Sequence, residues 1–165
     1  MVIRCRQVTA DDWQEWRDLR LRALRDAPEA FSSTLSEWQD ADESLWRDRL
    51  SSIAYNLIAD VDQVPSGMAS GAETVGGAEL MSFWVAAFAR GRGVGDALLS
   101  AVIEWATSAR YETVSLGVRA ANRHAIALYD RHGFFDAGPD EQDEKPGQPA
   151  ERRMILIIGG HRFSA

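Results

Sequence analysis

Residues 83 to 99 read Phe-Trp-Val-Ala-Ala-Phe-Ala-Arg-Gly-Arg-Gly-Val-Gly-Asp-Ala-Leu-Leu, an apolar strand that enters a glycine-rich turn and leaves it as a helix. Gly91, Gly93 and Gly95 alternate through the turn, where they permit positive φ and let a ligand approach without a Cβ in the way. Main-chain N–H groups then face outward at a helix N-terminus, where the macrodipole also favours an anion. Such a nest suits a pyrophosphate, and Arg90 and Arg92 can add charge around it. Taken in isolation, the same residues serve equally well as a turn with solvated arginines.

The flanking pattern organises the rest of the chain. An opening strand near Val2–Val8 leads to Thr9-Ala10-Asp11-Asp12, which fits a capping box with Thr9 as N-cap and Asp12 standing in for Glu. Trp13, Trp16, Leu19 and Ala23 follow at helical spacing, and Pro28 lies beyond the expected stop. A second amphipathic stretch covers Asp42 to Ser52. Tyr55–Val61 and Val64–Gly71 read as two strands around a turn at Asp62-Gln63, and Glu79–Ala87 as a third. Val94, Leu98, Ala101, Val102 and Trp105 mark a helix, Thr113–Val118 a strand, and Asn122–His132 a short helix closed by Gly133. The acidic, Pro- and Gly-containing Asp136–Ala150 stretch reads as a loop, and Arg153–Ile158 as a last strand that could pair between subunits, leaving a homodimer open. Strand–helix–strand–helix order in the second half implies a parallel strand pair, and the earlier hairpins are antiparallel. The expectation is one domain over residues 1–165, a mixed α/β or α+β sheet with helices on its faces.

Composition narrows the function classes. The 165 residues carry 18 basic and 25 acidic side chains, a net charge of −7, which disfavours non-specific binding to nucleic acid or to an anionic membrane. No apolar run approaches the roughly 20 residues a membrane helix needs, and Met1–Arg6 lacks a signal-peptide core. Cys5, the one cysteine, rules out an internal disulfide framework and reads as a small buried apolar residue of a cytoplasmic protein. His124, His132 and His161 have no metal-ligand spacing, so no metal site is expected. Charge is nonetheless uneven: Arg90–Asp96 and Arg119–Arg131 are both net positive within an acidic chain, consistent with an anion site.

Two common phosphate motifs do not fit. A Walker A loop needs Gly-Lys-Ser/Thr, which is absent, and a dinucleotide fingerprint needs Gly or Ala where Asp96 stands. Arg90-x-x-Gly93-x-Gly95 instead resembles the Gln/Arg-x-x-Gly-x-Gly/Ala signature of the GNAT superfamily of acyl-CoA-dependent N-acetyltransferases. A second match follows in order, Val118-x-x-x-Asn122-x-x-Ala125-x-x-Leu128-Tyr129-x-x-x-Gly133-Phe134. The resemblance is strongest from Glu79 to Phe134. It implies a largely antiparallel sheet with a splayed parallel central pair and helices on both faces. It further implies that Arg90, Gly91, Arg92, Gly93, Val94, Gly95 and Asp96 form the coenzyme A pyrophosphate site, with pantetheine along the main chain near Phe83 and Val85. Asn122 would contact pantetheine or hold a water, Arg131 would reach the adenosine phosphates, and Tyr129 matches the general acid that protonates the departing thiolate.

The chemistry of acetyl transfer accords with those residues. A lysine-like amine is neutral only about once in 10³ at pH 7, a penalty of roughly 4–5 kcal/mol if no base assists. A phenol keeps its proton at neutral pH and can pass it to a thiolate, while an N–H near Val85 could meet the oxyanion. For the base, strand alternation puts Glu79 on the face shared by Met81, Phe83 and Val85. Glu79 then lies about 20 Å from Val85 unless a bulge or twist shortens the path, so it would act through water or deeper in an acceptor channel.

The leading expectation is therefore an acetyl-CoA-dependent N-acetyltransferase acting by direct attack on a primary amine of a small molecule, since Cys5 lies outside both motifs. The alternatives are an acetyltransferase for protein N-termini or lysines, and a non-catalytic acyl-CoA-binding sensor. Trp13, Trp16, Trp38 and Trp46 read as core, with one lining an acceptor pocket as the lesser alternative. The acidic stretches Glu37–Asp48 and Asp136–Lys145 read as solvated surface rather than as steering for a cationic amine.

Overall fold

A computed structural model describes residues 1–140, 147 and 151–159. Seven strands form one sheet in the order β1-β2-β3-β4-β5-β7-β6. They are β1 (Ile3–Gln7), β2 (Tyr55–Val61), β3 (Val64–Thr74), β4 (Gly77–Val85), β5 (Thr113–Val118), β6 (Phe135–Pro139) and β7 (Arg152–Ile157). Every neighbouring pair is antiparallel except β4–β5. The helices α1 (Trp13–Asp26), α2 (Leu35–Trp38) and α3 (Glu43–Ser52) precede β2, α4 (Val94–Ser108) joins β4 to β5, and α5 (Arg123–Arg131) follows β5.

The central strands of the sheet are covered on both faces, each by its own set of helices. On one, Trp16, Leu19 and Ala23 of α1 and Trp46 and Leu50 of α3 pack with Ile58, Met68 and Trp84. On the other, Val94, Leu98 and Val102 of α4 and Leu128 and Tyr129 of α5 pack with Leu57, Ala69 and Leu80. Alternating strand side chains feed these two cores, which is why β2 and β3 are buried along most of their length. Their hairpin turns at Asp62 and Gln63, with φ of 47° and 71°, the handedness that matches the twist of the flanking strands.

Local signals explain the helix starts. Asp12 accepts from the Thr9 N–H at 2.8 Å, but a short 3-10 turn over Ala10–Asp12 intervenes before α1. Asp42 caps α3 by accepting from Leu45 N–H at 3.0 Å, and Glu37 completes a capping box with Thr34 at α2. Acidic residues of the Glu37–Asp48 stretch are thus partly committed to helix ends.

Three expectations need correction. The stretch expected as a loop from Asp136 begins instead as strand β6, paired to β7 through Phe135↔Ile155 and Asp136↔Met154; residues 141–146 and 148–150 lie outside the described residues. Strand β7 has β5 on one side and β6 on the other, so it is not an edge available to a second subunit. Cys5 is half-buried rather than buried, and burial raises its thiol pKa. No helix among the described residues is long and apolar enough to cross a membrane.

Candidate active site

The parallel strands β4 and β5 are paired only at Ala78↔Val114 and Glu79↔Ser115. Past that point each keeps its outer partner while the inner ladder stops, and a cavity of about 210 Å³ opens between them. One end of the cavity is walled by Asn122, Ala125 and Tyr129, and the other by residues of α1, α3 and the opposite face of β4. The opening therefore runs through the sheet.

The glycine turn lies where the sequence places it. Gly91 and Gly93 have φ of +74° and +87°, conformations that a residue with a Cβ adopts only at a cost. Gly93 is the N-cap of α4, and Ala97 N–H reaches back to its carbonyl at 3.0 Å. The preceding N–H groups of the first turn have no intrahelical acceptor and remain for an anion. Gly95 is required for a different reason: a Cβ there would lie 3.2 Å from Leu128 Cδ2 and 3.5 Å from Phe83 Cζ. Its absence lets α4, α5 and β4 meet closely.

The charges around this turn are tied to one another. Asp96, in the first turn of α4, accepts from Arg131 at 3.3 Å and lies 3.0 Å from His132 Nε2, and these contacts, His132 foremost, lower its carboxyl pKa. Arg131 is thereby held beside the start of α4. Arg90 is turned elsewhere: its Nε donates to the Val85 carbonyl at 3.0 Å and its Nη2 pairs with Asp26, which also accepts from Trp84 Nε1 at 3.0 Å. Arg90 thus fastens the end of β4 to the end of α1. Gly91 and Arg92 are exposed, and Val94 is buried in the core.

Tyr129 is 5% exposed, with its ring edge-on to Phe83 at 6.0 Å between centroids and Phe134 at 5.8 Å. Burial pushes its phenol pKa well above the ordinary value. Asn122 caps α5, its Oδ1 accepting from Ala125 N–H at 3.2 Å, and it also lines the cavity. Ala86 N–H donates to Ser66 at 2.8 Å, so strand alternation aims the Val85 N–H away from β3 toward the opening.

Glu79 departs from expectation. Met68 pairs with Trp84 but Ser70 pairs with Met81, so Ala69 stands opposite both Ser82 and Phe83. This bulge reverses the facing of β4: Ala78 and Leu80 before it and Phe83 and Val85 after it all adjoin the α4–α5 core. Glu79 and Met81 consequently face α1 and α3, and do not share a face with Phe83 and Val85. Ser82 takes the left-handed conformation, φ 52°, and Arg49 donates to its Oγ at 3.1 Å. Arg49 also donates to Ser70 Oγ at 3.1 Å and Asn56 Oδ1 at 3.0 Å, which fixes the bulge from α3. Glu79 is half-buried on the cavity wall, and burial is the largest cause of its raised pKa.

Sequence reasoning missed part of the cavity. Trp16, Arg20, Trp38, Trp46 and Arg49 line it, and of these only the tryptophans invited notice as pocket candidates. Glu151 joins them over Gly117, where a Cβ would lie 2.3 Å from Glu151 Oε2, and it pairs with Arg119 at 3.7 Å. No group of three or more His, Cys, Asp or Glu among the described residues could hold a metal ion.

Comparison with known proteins gives a consistent picture. A mycothiol acetyltransferase from Clavibacter sepedonicus is 34% identical over 134 residues, 81% of this chain but 43% of the relative, so the chain spans under half the length of the curated relatives it matches. A GNAT-family acetyltransferase from Streptococcus pneumoniae superposes with a TM-score of 0.79 at 19% identity, covering 96% of this chain and 100% of the other. A GNAT superfamily phosphinothricin acetyltransferase from Sinorhizobium meliloti, in complex with AcCoA, gives 0.76 at 21% identity over 96% and 90% of the two chains. These two likenesses establish the shared fold. The profile of the acetyltransferase (GNAT) family matches residues 13–134, and with the splayed β4–β5 pair and the glycine turn in place, the chain belongs to that family.

Proposed function

We propose that this protein transfers the acetyl group of acetyl-CoA to a primary amine of a small molecule by direct attack. The observation that carries this reading is the interrupted β4–β5 ladder, with the glycine turn following β4 on one side and a side-chain-lined cavity on the other. The first-turn N–H groups of α4 would receive the pyrophosphate, through the main chain of Gly91–Gly95. Arg131, held by Asp96, and Arg92 would supply charge nearby. Arg90 would contribute indirectly, by fixing the Val85 carbonyl that borders the opening.

In the reaction the amine nitrogen bonds to the thioester carbonyl carbon and the carbon–sulfur bond breaks. The Val85 N–H would stabilise the oxyanion. Tyr129 would give its proton to the leaving sulfur, and the dry surroundings that keep its phenol protonated also raise the basicity of a thiolate beside it. Glu79, through water, would accept the proton that the amine loses, from the face where the acceptor enters. The bulge at Ser82 thus puts acid and base on opposite sides of the sheet, with the opening between them.

A small-molecule acceptor is in keeping with the relatives named mycothiol acetyltransferases and with the modest cavity. The test is coenzyme A release from acetyl-CoA across a panel of amines, beside calorimetric binding of coenzyme A. Turnover of an amine supports the reading. Tight coenzyme binding without turnover of any amine would favour the sensor alternative, and turnover of peptide amines alone would favour a protein acceptor.

A further inference from the structure

The α1–α3 side of the cavity gathers hydrogen-bond donors that have no acceptor. Trp16 Nε1, Trp46 Nε1 and Arg20 Nη1 are all buried without a partner among the described residues. Trp16 and Trp46 are 0% and 1% exposed, so water does not readily substitute. Buried N–H groups are nearly always paired in folded proteins, and each unpaired one costs stability. The three residues that carry these orphan donors all line a single cavity.

Charge at the same place is equally one-sided. Arg49 stands over the Trp16 ring at 5.4 Å and Arg20 over the Phe31 ring at 4.5 Å. Burial lowers both guanidinium pKa values to about 10, and for Arg20 the charge of Arg49 adds to the effect. Both remain cationic at neutral pH. Among the described residues neither forms an ion pair with a carboxylate. The carboxylates on the cavity wall are occupied with other charges: Glu151 pairs with Arg119, and Glu79 feels chiefly Arg153 and Asp140. Two adjacent half-buried cations without a carboxylate partner among the described residues, in a chain of net charge −7, suit an anion-binding pocket.

We propose that the acceptor amine also carries a carboxylate, received by Arg20 Nη1 and the indole N–H groups of Trp16 and Trp46 in the field of Arg49. The substrate class is then free amino acids and their analogues. A carboxylate suits the pocket because its two acceptor oxygens can take the three unmet donors, whereas a phosphate would leave oxygens short. The rings of Phe31 and Trp38 offer apolar surface for the remainder of the acceptor. Arg49 is already committed to Asn56, Ser70 and Ser82, so it contributes field and rigidity while Arg20 supplies the free N–H. This inference rests on the acetyl-transfer reading above and assigns its acceptor.

The test compares L-α-amino acids with their carboxamides and descarboxy amines as acceptors, in the full chain and in Arg20→Gln. We expect kcat/KM for the acids to exceed that for the carboxamides by at least about tenfold, since a site built for a polar group rejects the analogue lacking it. In Arg20→Gln that ratio falls to within about twofold while KM for acetyl-CoA is unchanged. Carboxamides or amines used as well as the acids by the unaltered protein would overturn the carboxylate site and leave acetyl transfer standing. Failure to bind coenzyme A would instead overturn the transfer reading. Calorimetric binding of N-acetyl amino acids against their amides to the unaltered protein decides the matter without turnover or the variant. Tighter binding of the acids supports the site, and equal binding overturns it.

Discussion

Glu79 and Phe83 are four residues apart on one strand yet face opposite sides of the sheet, because Ser82 inserts an extra residue between them. An even spacing in a regular strand would place both on the same side. The insertion directs Phe83 to Tyr129 and the α4–α5 core, and Glu79 to the cavity wall beneath α1 and α3. Arg49 holds this arrangement through Ser82, so a helix far earlier in sequence sets the phase of the strand.

Glu79 gives a pH signature of definite sign. Burial raises its carboxyl pKa, so the base form is lost as pH falls through that raised value. The kcat/KM profile should show an acid limb that Glu79→Gln abolishes, with activity reduced by about 10²-fold on the plateau. The same raised value means that the stability contributed by the neutral form is present below the unfolded pKa and lost as pH rises through the folded one. Glu79→Gln should therefore melt above the unaltered protein at neutral pH. An unchanged profile would remove the assigned role.

Tyr129→Phe keeps the ring contacts with Phe83 and Phe134 and deletes only the hydroxyl. We expect kcat to fall by about 10²-fold, with KM for acetyl-CoA little changed. Steady-state kinetics with thiol detection measures both, and an unaltered kcat would count against the phenol as proton donor.

Gly93→Ala places a Cβ on a residue with φ +87° and should destabilise by about 1–2 kcal/mol, although its nearest contact, Ile3 Cδ1, is a comfortable 3.8 Å away. Denaturant melts read the stability, and calorimetry reads the accompanying loss of coenzyme A affinity. Gly95→Ala meets Leu128 Cδ2 at 3.2 Å and should perturb the approach of α5 instead. A Gly93 variant with native affinity would separate the turn from diphosphate binding.

Arg131→Gln removes a charge held by Asp96 on an exposed side chain, so stability should shift by less than about 1 kcal/mol. Coenzyme A binding should weaken roughly threefold to tenfold at low salt, and the deficit should shrink as salt screens the contact. Equal affinities at low salt would place the guanidinium away from the phosphates.

Much of the scaffold was legible because it is written in local patterns. Thr113–Val118 and Tyr55–Val61 occupy the residues their alternation indicates, and the Asp62-Gln63 turn joins its strands as expected. What escaped depends on partners distant in sequence. Arg49 and Arg20 carry no marker in the sequence, and only the packing of α1 and α3 over the sheet brings them to the cavity. The bulge at Ser82 has no marker within β4, since its register is set by β3 and Arg49. Strand β6, with its Asp136-Ala137-Gly138-Pro139 sequence, has little intrinsic strand tendency and exists through its pairing with β7. The glycine turn and Tyr129 were legible as a motif, but the engagement of Arg90 with Asp26 was not, because 64 residues separate them.

The gap between β4 and β5 is bordered in part by peptide groups rather than by functional side chains. Recognition through peptide groups is indifferent to which amino acids carry them, provided the chain path is kept. On the proposed function, substitutions on the α1–α3 side would redraw the acceptor chamber while leaving a co-substrate slot that depends on chain path rather than side-chain identity.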